Sequence, residues 1–227
     1  MKMKAEAQPV SFAVGEGTVS GLFTHPPKST ALYVLAHGAG AGMAHPFLTQ
    51  ISALFAERRI ATLRYQFPYM EHGSRRPDSP KVAEAAVAAA VAEAARLAPK
   101  LPLFAGGKSF GGRMTSQAAA HGLIPNVKGL VFLGFPLHPP GAPADTRGDH
   151  LADVKVPMLF LQGTRDEFAD LSLLKPLVVR LGRLATLHLV EGGDHSFKVP
   201  ASLGRKPPEV MSELADSAVG FMAENSR

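Results

Sequence analysis

The sequence predicts an α/β fold: one mainly parallel central sheet, helices on both of its faces, and an antiparallel hairpin at its N-terminal edge. Short apolar runs alternate with segments of helical spacing through most of the chain, the order expected of strand–helix–strand units. The runs are continuous rather than alternating, as strands covered on both faces are. A chain of 227 residues with 46% apolar content can build one domain and one core. No linker, repeat or composition break divides it, so residues 1–227 read as a single domain.

Residues 10–14 and 18–25 alternate around Gly15-Glu16-Gly17 and predict the edge hairpin. Ala31–Ala36 is a buried strand that runs into the glycine-rich loop 37–42. Phe47, Leu48, Ile51, Leu54 and Phe55 recur at helical spacing behind Pro46. Ile60–Tyr65 is a second buried strand and 66–77 an irregular polar loop. Ser79-Pro80 reads as an N-cap and first helical residue, opening a helix to about Ala98. A strand over 101–105 leads through glycines into a helix that stops at Gly122. Further strands are expected over 127–133, 156–162 and 186–190, with a helix over 170–181. Met211, Leu214, Ala215, Ala218, Val219 and Met222 mark one face of a closing helix.

Composition removes several function classes. With no Cys there is no disulfide and no thiolate metal site. The basic start, residues 1–9, has no apolar run behind it and does not read as a leader. The Ala-rich stretch 83–98 carries Glu84, Glu93 and Arg96, so it does not read as a membrane span, and a cytoplasmic protein is expected. The net charge is +5, but Lys and Arg are scattered and no aromatics interleave with Arg75-Arg76, so nucleic acid is not an expected partner. Nothing implies a metal, a nucleotide or a flavin, and no cofactor is expected.

Gly107-Lys108-Ser109-Phe110-Gly111 matches G-x-S-x-G between a short strand and a helix. A serine there sits in a strained turn with its hydroxyl projecting above the sheet, and glycines let strand and helix nearly touch. The helix N-terminus beneath it favours a developing oxyanion. A P-loop is excluded because Pro102 stands where its first glycine belongs. A serine hydroxyl needs an imidazole to take its proton and a carboxylate to orient that imidazole. With such an elbow the chain order is Ser, acid, His. His195, in Gly192-Gly-Asp-His-Ser196, and Asp166, in Gln162-Gly-Thr-Arg-Asp166, each follow a strand end, where parallel sheets place their sites. Asp194 adjoins His195 and is poorly placed to reach its ring; Asp170 reads as a helix cap; Glu167 is a further competitor. The backbone N–H of Phe110 and that of Ala39, with Gly40 as second choice, are the candidate oxyanion donors. His37 is expected to brace that loop.

With these pieces in order, "LAHGAGAG", "LRYQFPY", "GGKSFGGRM", "GFPLHPP", "LQGTRDEF" and "EGGDHSF" make the chain resemble the α/β-hydrolase superfamily from Leu35 to Phe197. It is most similar to small lidless hydrolases related to dienelactone hydrolase. The resemblance implies a single-domain α/β-hydrolase fold without a cap domain. It also implies a serine hydrolase, carboxylesterase-like, acting through an acyl-enzyme on a small-molecule ester or thioester. Dienelactone hydrolases proper use a Cys nucleophile, which this chain lacks. Many esterases carry His before the nucleophile, where Lys108 stands here; it is expected to pair with a carboxylate or pack its stem. The group includes a subunit of the non-specific lethal chromatin complex, so the alternative is a non-catalytic scaffold for a protein partner. The Pro- and Gly-rich segment after Leu133 is too short for a lid and predicts an extended loop with at most one helical turn over a shallow, open site. Phe135, Leu137, His138, Phe168 and Phe197 are expected to line that site with Phe110, and Tyr65, Phe67 and Tyr69 are weaker candidates.

Overall fold

In the computed structural model, which describes residues 5–226, the chain folds around one eight-stranded sheet. Residues 1–4, on which the expectation about a leader partly falls, lie outside the described residues. In chain order the elements are β1 (Ala7–Val14), β2 (Gly17–Thr24), β3 (Ala31–Ala36), α1 (Pro46–Glu57), β4 (Ile60–Tyr65), α2 (Pro68–Glu71) and α3 (Pro80–Leu97). Then follow β5 (Leu103–Lys108), α4 (Phe110–Ala120), β6 (Gly129–Leu133), β7 (Met158–Gly163), α5 (Leu171–Leu181), β8 (Ala185–Val190) and α6 (Pro207–Glu224).

The strand order is β1-β2-β4-β3-β5-β6-β7-β8. The β1–β2 hairpin joins β4 antiparallel, and every pair from β4 to β8 is parallel. The period of two in each strand divides its side chains between two cores. Along β3, Leu32, Val34 and Ala36 face the core under α3, α4 and α5, while Ala31, Tyr33 and Leu35 face the core under α1 and α6. Both faces are covered, which is why the strands read as unbroken apolar runs. Small residues, among them Ala83, Ala86, Ala90 and Ala94, form the buried stripe of α3. In α6, Val210 and Phe221 join the buried face, and Val219 is only half-buried.

Several expectations are corrected. The fifth strand begins at Leu103 and runs on through Gly106 and Gly107 to Lys108. These glycines are strand residues: they pair with β3 and β6, where a Cβ on Gly107 would meet the Ala36 carbonyl oxygen at 2.3 Å. The loop after β4 contains the single helical turn α2. Ser79 is the N-cap of α3, but its hydroxyl makes no capping bond. The segment after β6 holds an eight-residue 3₁₀ stretch, Thr146–Asp153, rather than at most one turn. It packs on the α4–α5 side, with Leu151 buried and His150 Nε2 2.7 Å from Ser116 Oγ. No helix among the described residues is long and apolar enough to cross a membrane.

Candidate active site

The carboxyl ends of β3, β5, β7 and β8 converge on one cleft. Ser109 stands between β5 and α4 with φ 50° and ψ −117°, a region that a non-glycine residue occupies only when its surroundings force it. The forcing is visible at Gly111, where a Cβ would lie 2.6 Å from the His37 carbonyl oxygen. The turn can therefore press against β3 only because that position has no side chain. Ser109 donates its own N–H to the Leu133 carbonyl at 3.2 Å, which ties the turn to β6.

His195 follows β8 and Asp166 follows β7. His195 Nε2 is 2.9 Å from Ser109 Oγ, and His195 Nδ1 is 2.9 and 2.8 Å from the two carboxylate oxygens of Asp166. The Asp166 carboxylate is buried and also accepts from Phe168 N–H at 2.9 Å and Gln162 Nε2 at 2.5 Å. A carboxylate held by three donors is fixed in orientation. With the Nδ1 proton directed at Asp166, the Nε2 lone pair faces the serine hydroxyl, so the arrangement can take the proton from Oγ. Gln162 escaped the sequence reading. Its signal is a lone amide at the end of an apolar strand, where its Oε1 accepts from Phe135 N–H at 2.9 Å and its Nε2 reaches the carboxylate.

Asp194 Oδ1 accepts from Ser196 N–H at 2.8 Å and Lys198 N–H at 2.9 Å, so it shapes the loop that carries His195. Asp170 caps α5 by accepting from Ser172 N–H at 2.8 Å, and Glu167 is exposed. Ala39 is exposed at the cleft, and neither its N–H nor that of Phe110 has a hydrogen-bond partner among the described residues. Gly40 N–H is donated to Tyr69 Oη at 2.9 Å and so is engaged elsewhere.

The loop carrying Ala39 is braced from below. His37 is fully buried; its Nε2 accepts from Phe67 N–H at 3.1 Å, so Nδ1 holds the proton and donates to Gly38 O at 2.7 Å. Burial lowers its pKa from 6.5 to about 4, against the raising effect of the Gly38 carbonyl, so the ring stays neutral. Met43 N–H donates to Gln66 Oε1 at 2.8 Å from the same side.

The cleft has a volume of about 890 Å³. Its walls come from the start of α1 (Phe47, Leu48), the segment after His195 (Phe197, Val199) and the start of α6 (Val210, Met211). Phe168 and Phe197 line it; Phe168 lies against the His195 ring with centroids 4.2 Å apart, and Phe197 stacks on Phe47 at 6.0 Å. Phe135, Leu137 and His138 do not line it. Gly134, at φ +73°, turns the chain away under the sheet end, and Phe135 packs on Phe132 and Phe160. Leu137 is fully buried in the core beneath α4 and α5, and His138 Nε2 accepts from Asp170 N–H at 2.8 Å. Phe110, Phe67 and Tyr69 pack on one another, and Tyr65 is buried against Phe67. The site is thus a walled cleft rather than a shallow rim. Lys108 pairs with no carboxylate among the described residues: its Nζ donates to the His195 carbonyl at 2.6 Å. Among the described residues no three His, Asp or Glu side chains gather as metal ligands.

Solved structures share this architecture over nearly their whole length. A dienelactone hydrolase from Anabaena variabilis is 20% identical, with TM-score 0.79, covering 99% of this chain and 100% of that one. An α/β serine hydrolase without lid from Xanthomonas campestris is 19% identical, with TM-score 0.74 and 95% of each chain covered. A cold-adapted esterase from an Arctic intertidal metagenomic library is 21% identical, with TM-score 0.68, covering 100% of this chain and 97% of that one. Residues 29–223 match the family model described as alpha/beta hydrolase domain, and the chain belongs to that family.

Proposed function

We propose that the protein is a serine hydrolase that cleaves a small carboxylic ester, thioester or similar acyl bond. The observation that carries this reading is the hydrogen-bonded chain Ser109 Oγ–His195 Nε2 and His195 Nδ1–Asp166 on the floor of an apolar-walled cleft. In this mechanism His195 Nε2 takes the Ser109 proton as Oγ attacks the acyl carbon. The oxyanion is held by the N–H groups of Phe110 and Ala39. His195 then gives the proton to the leaving alcohol or thiol, and an acyl-Ser109 ester remains. Water, deprotonated by His195, releases the acid and restores the serine. The serine-hydrolase and esterase neighbours support the same reaction class.

The cleft volume lies in the range that holds small organic ligands, and its walls are mainly apolar, which suits a substrate with an apolar body. The test is a p-nitrophenyl ester series of graded acyl length with the wild type and Ser109→Ala. The wild type should turn over, and the variant, with an unchanged circular dichroism spectrum, should lose on the order of 10⁴-fold in kcat. A Ser109→Ala protein that hydrolyses esters at the wild-type rate overturns the assignment.

A further inference from the structure

Lys108, the residue before the serine, takes no part in that chemistry, yet it places an ammonium group beside it. Its stem passes under the loop at Gly38, its Nζ donates to the His195 backbone carbonyl at 2.6 Å, and the Phe197 ring centre is 5.6 Å away. The point that a Cβ on Gly134 would occupy lies 3.0 Å from Lys108 Nζ, 3.5 Å from Asp166 Oδ2 and 3.5 Å from His195 Cε1. The ammonium therefore sits beside the imidazole–carboxylate pair, in space that the missing side chain of Gly134 leaves open. The charged groups facing it are Asp166 at the end of β7 and Asp194 in the loop after β8, with His195 as the adjacent titratable ring. Burying an ammonium is costly unless it is hydrogen-bonded, and packing alone would be met by Met or Leu. A short charge-assisted bond to a carbonyl, backed by an aromatic face, offsets that cost and pins the backbone it touches.

We propose that Lys108 is a positioning residue: its ammonium ties the strand that carries Ser109 to the backbone of His195 and so sets how the imidazole meets the hydroxyl. This rests on the serine-hydrolase reading above. Burial lowers the Lys108 pKa from 10.5 to about 8, with Asp166 and Asp194 acting in the opposite direction. The tie is at full strength below that pH and weakens as pH rises through it, because a neutral amine is a poorer donor. Arg cannot lose its charge in this range.

The test is the rate of acylation by p-nitrophenyl acetate, followed as the first burst of p-nitrophenol from pH 6 to 10, for wild type, Lys108→Met and Lys108→Arg, with circular dichroism to check folding. Lys108→Met should acylate slower by on the order of 10²-fold with KM little changed, the effect of a misplaced catalytic group. Lys108→Arg should keep most of the rate and lose the decline that the wild type shows above about pH 8. Folded Lys108→Met acylating at the wild-type rate, a wild-type rate with no decline through pH 8, or Lys108→Arg with the wild-type decline each overturns the inference and leaves the hydrolase reading intact. Should Lys108→Met not fold, the Lys108→Arg profile decides alone. Wild type that neither bursts nor turns over overturns the hydrolase reading, and the inference with it.

Discussion

Two aspartates lie near His195, and their hydrogen bonds separate them. Asp166 meets the ring nitrogen, while Asp194 is committed to the N–H groups of Ser196 and Lys198. Asp166→Asn replaces an acceptor facing Nδ1 with an amide that favours the wrong tautomer, and ester turnover should fall by on the order of 10⁴-fold. Asp194→Asn keeps an oxygen for both N–H groups and should change turnover less than about tenfold. Steady-state kcat for the two variants checks this, and the reverse order would make Asp194 the acid. The meeting of Ser109, Asp166 and His195 was legible in the sequence because few residue types suit the proposed chemistry and each follows a strand end. Gln162 was not, because an amide has no motif and its role appears only when Phe135 N–H and the Asp166 carboxylate are seen on either side of it.

At the scale of elements, the elbow depends on how closely α4 approaches β3. Gly111→Ala would place a Cβ 2.6 Å from the His37 carbonyl oxygen and 2.7 Å from Ala36 Cβ, with no flexible side chain to give way. Thermal or urea melts should show a loss of at least about 2 kcal/mol, the scale of core overpacking. A variant as stable as wild type would mean that the turn is looser than described. Strands were readable because burial on both faces leaves continuous apolar runs. The ends of β5 were not, since Gly106 and Gly107 look like loop until β3 and β6 are seen to flank them. The same limit explains Phe135, Leu137 and His138. Proximity to a strand end predicts a place near the site, but the left-handed turn at Gly134 sends them into the core, while α1 and the segment before α6 supply the walls.

For the whole molecule, stability is linked to the neutrality of two histidines: His37, buried against Phe67 and Tyr69, and His150, half-buried against Ser116 of α4. Burial lowers both His37 and His150 from 6.5 to about 4, and Arg113 and His121 push His150 further the same way. Between about pH 6.5 and 4 the unfolded chain binds protons at these positions and the native protein does not. Their contribution to stability is therefore complete above pH 6.5 and is lost as pH falls toward 4. Urea midpoints should drop across that window, and His150→Gln, which can keep a hydrogen bond to Ser116, should make the drop shallower. An unchanged slope in the variant would remove His150 from the account.

The sheet, the two cores and the cleft serve one arrangement, in which Ser109 is held in a strained turn against His195. Incubating the protein with a fluorophosphonate and measuring its intact mass and labelled peptide tests that most directly. One adduct per chain is expected, on Ser109, formed rapidly in the wild type and suppressed in His195→Ala. No adduct on the folded wild type, or an adduct on another residue, would contradict it.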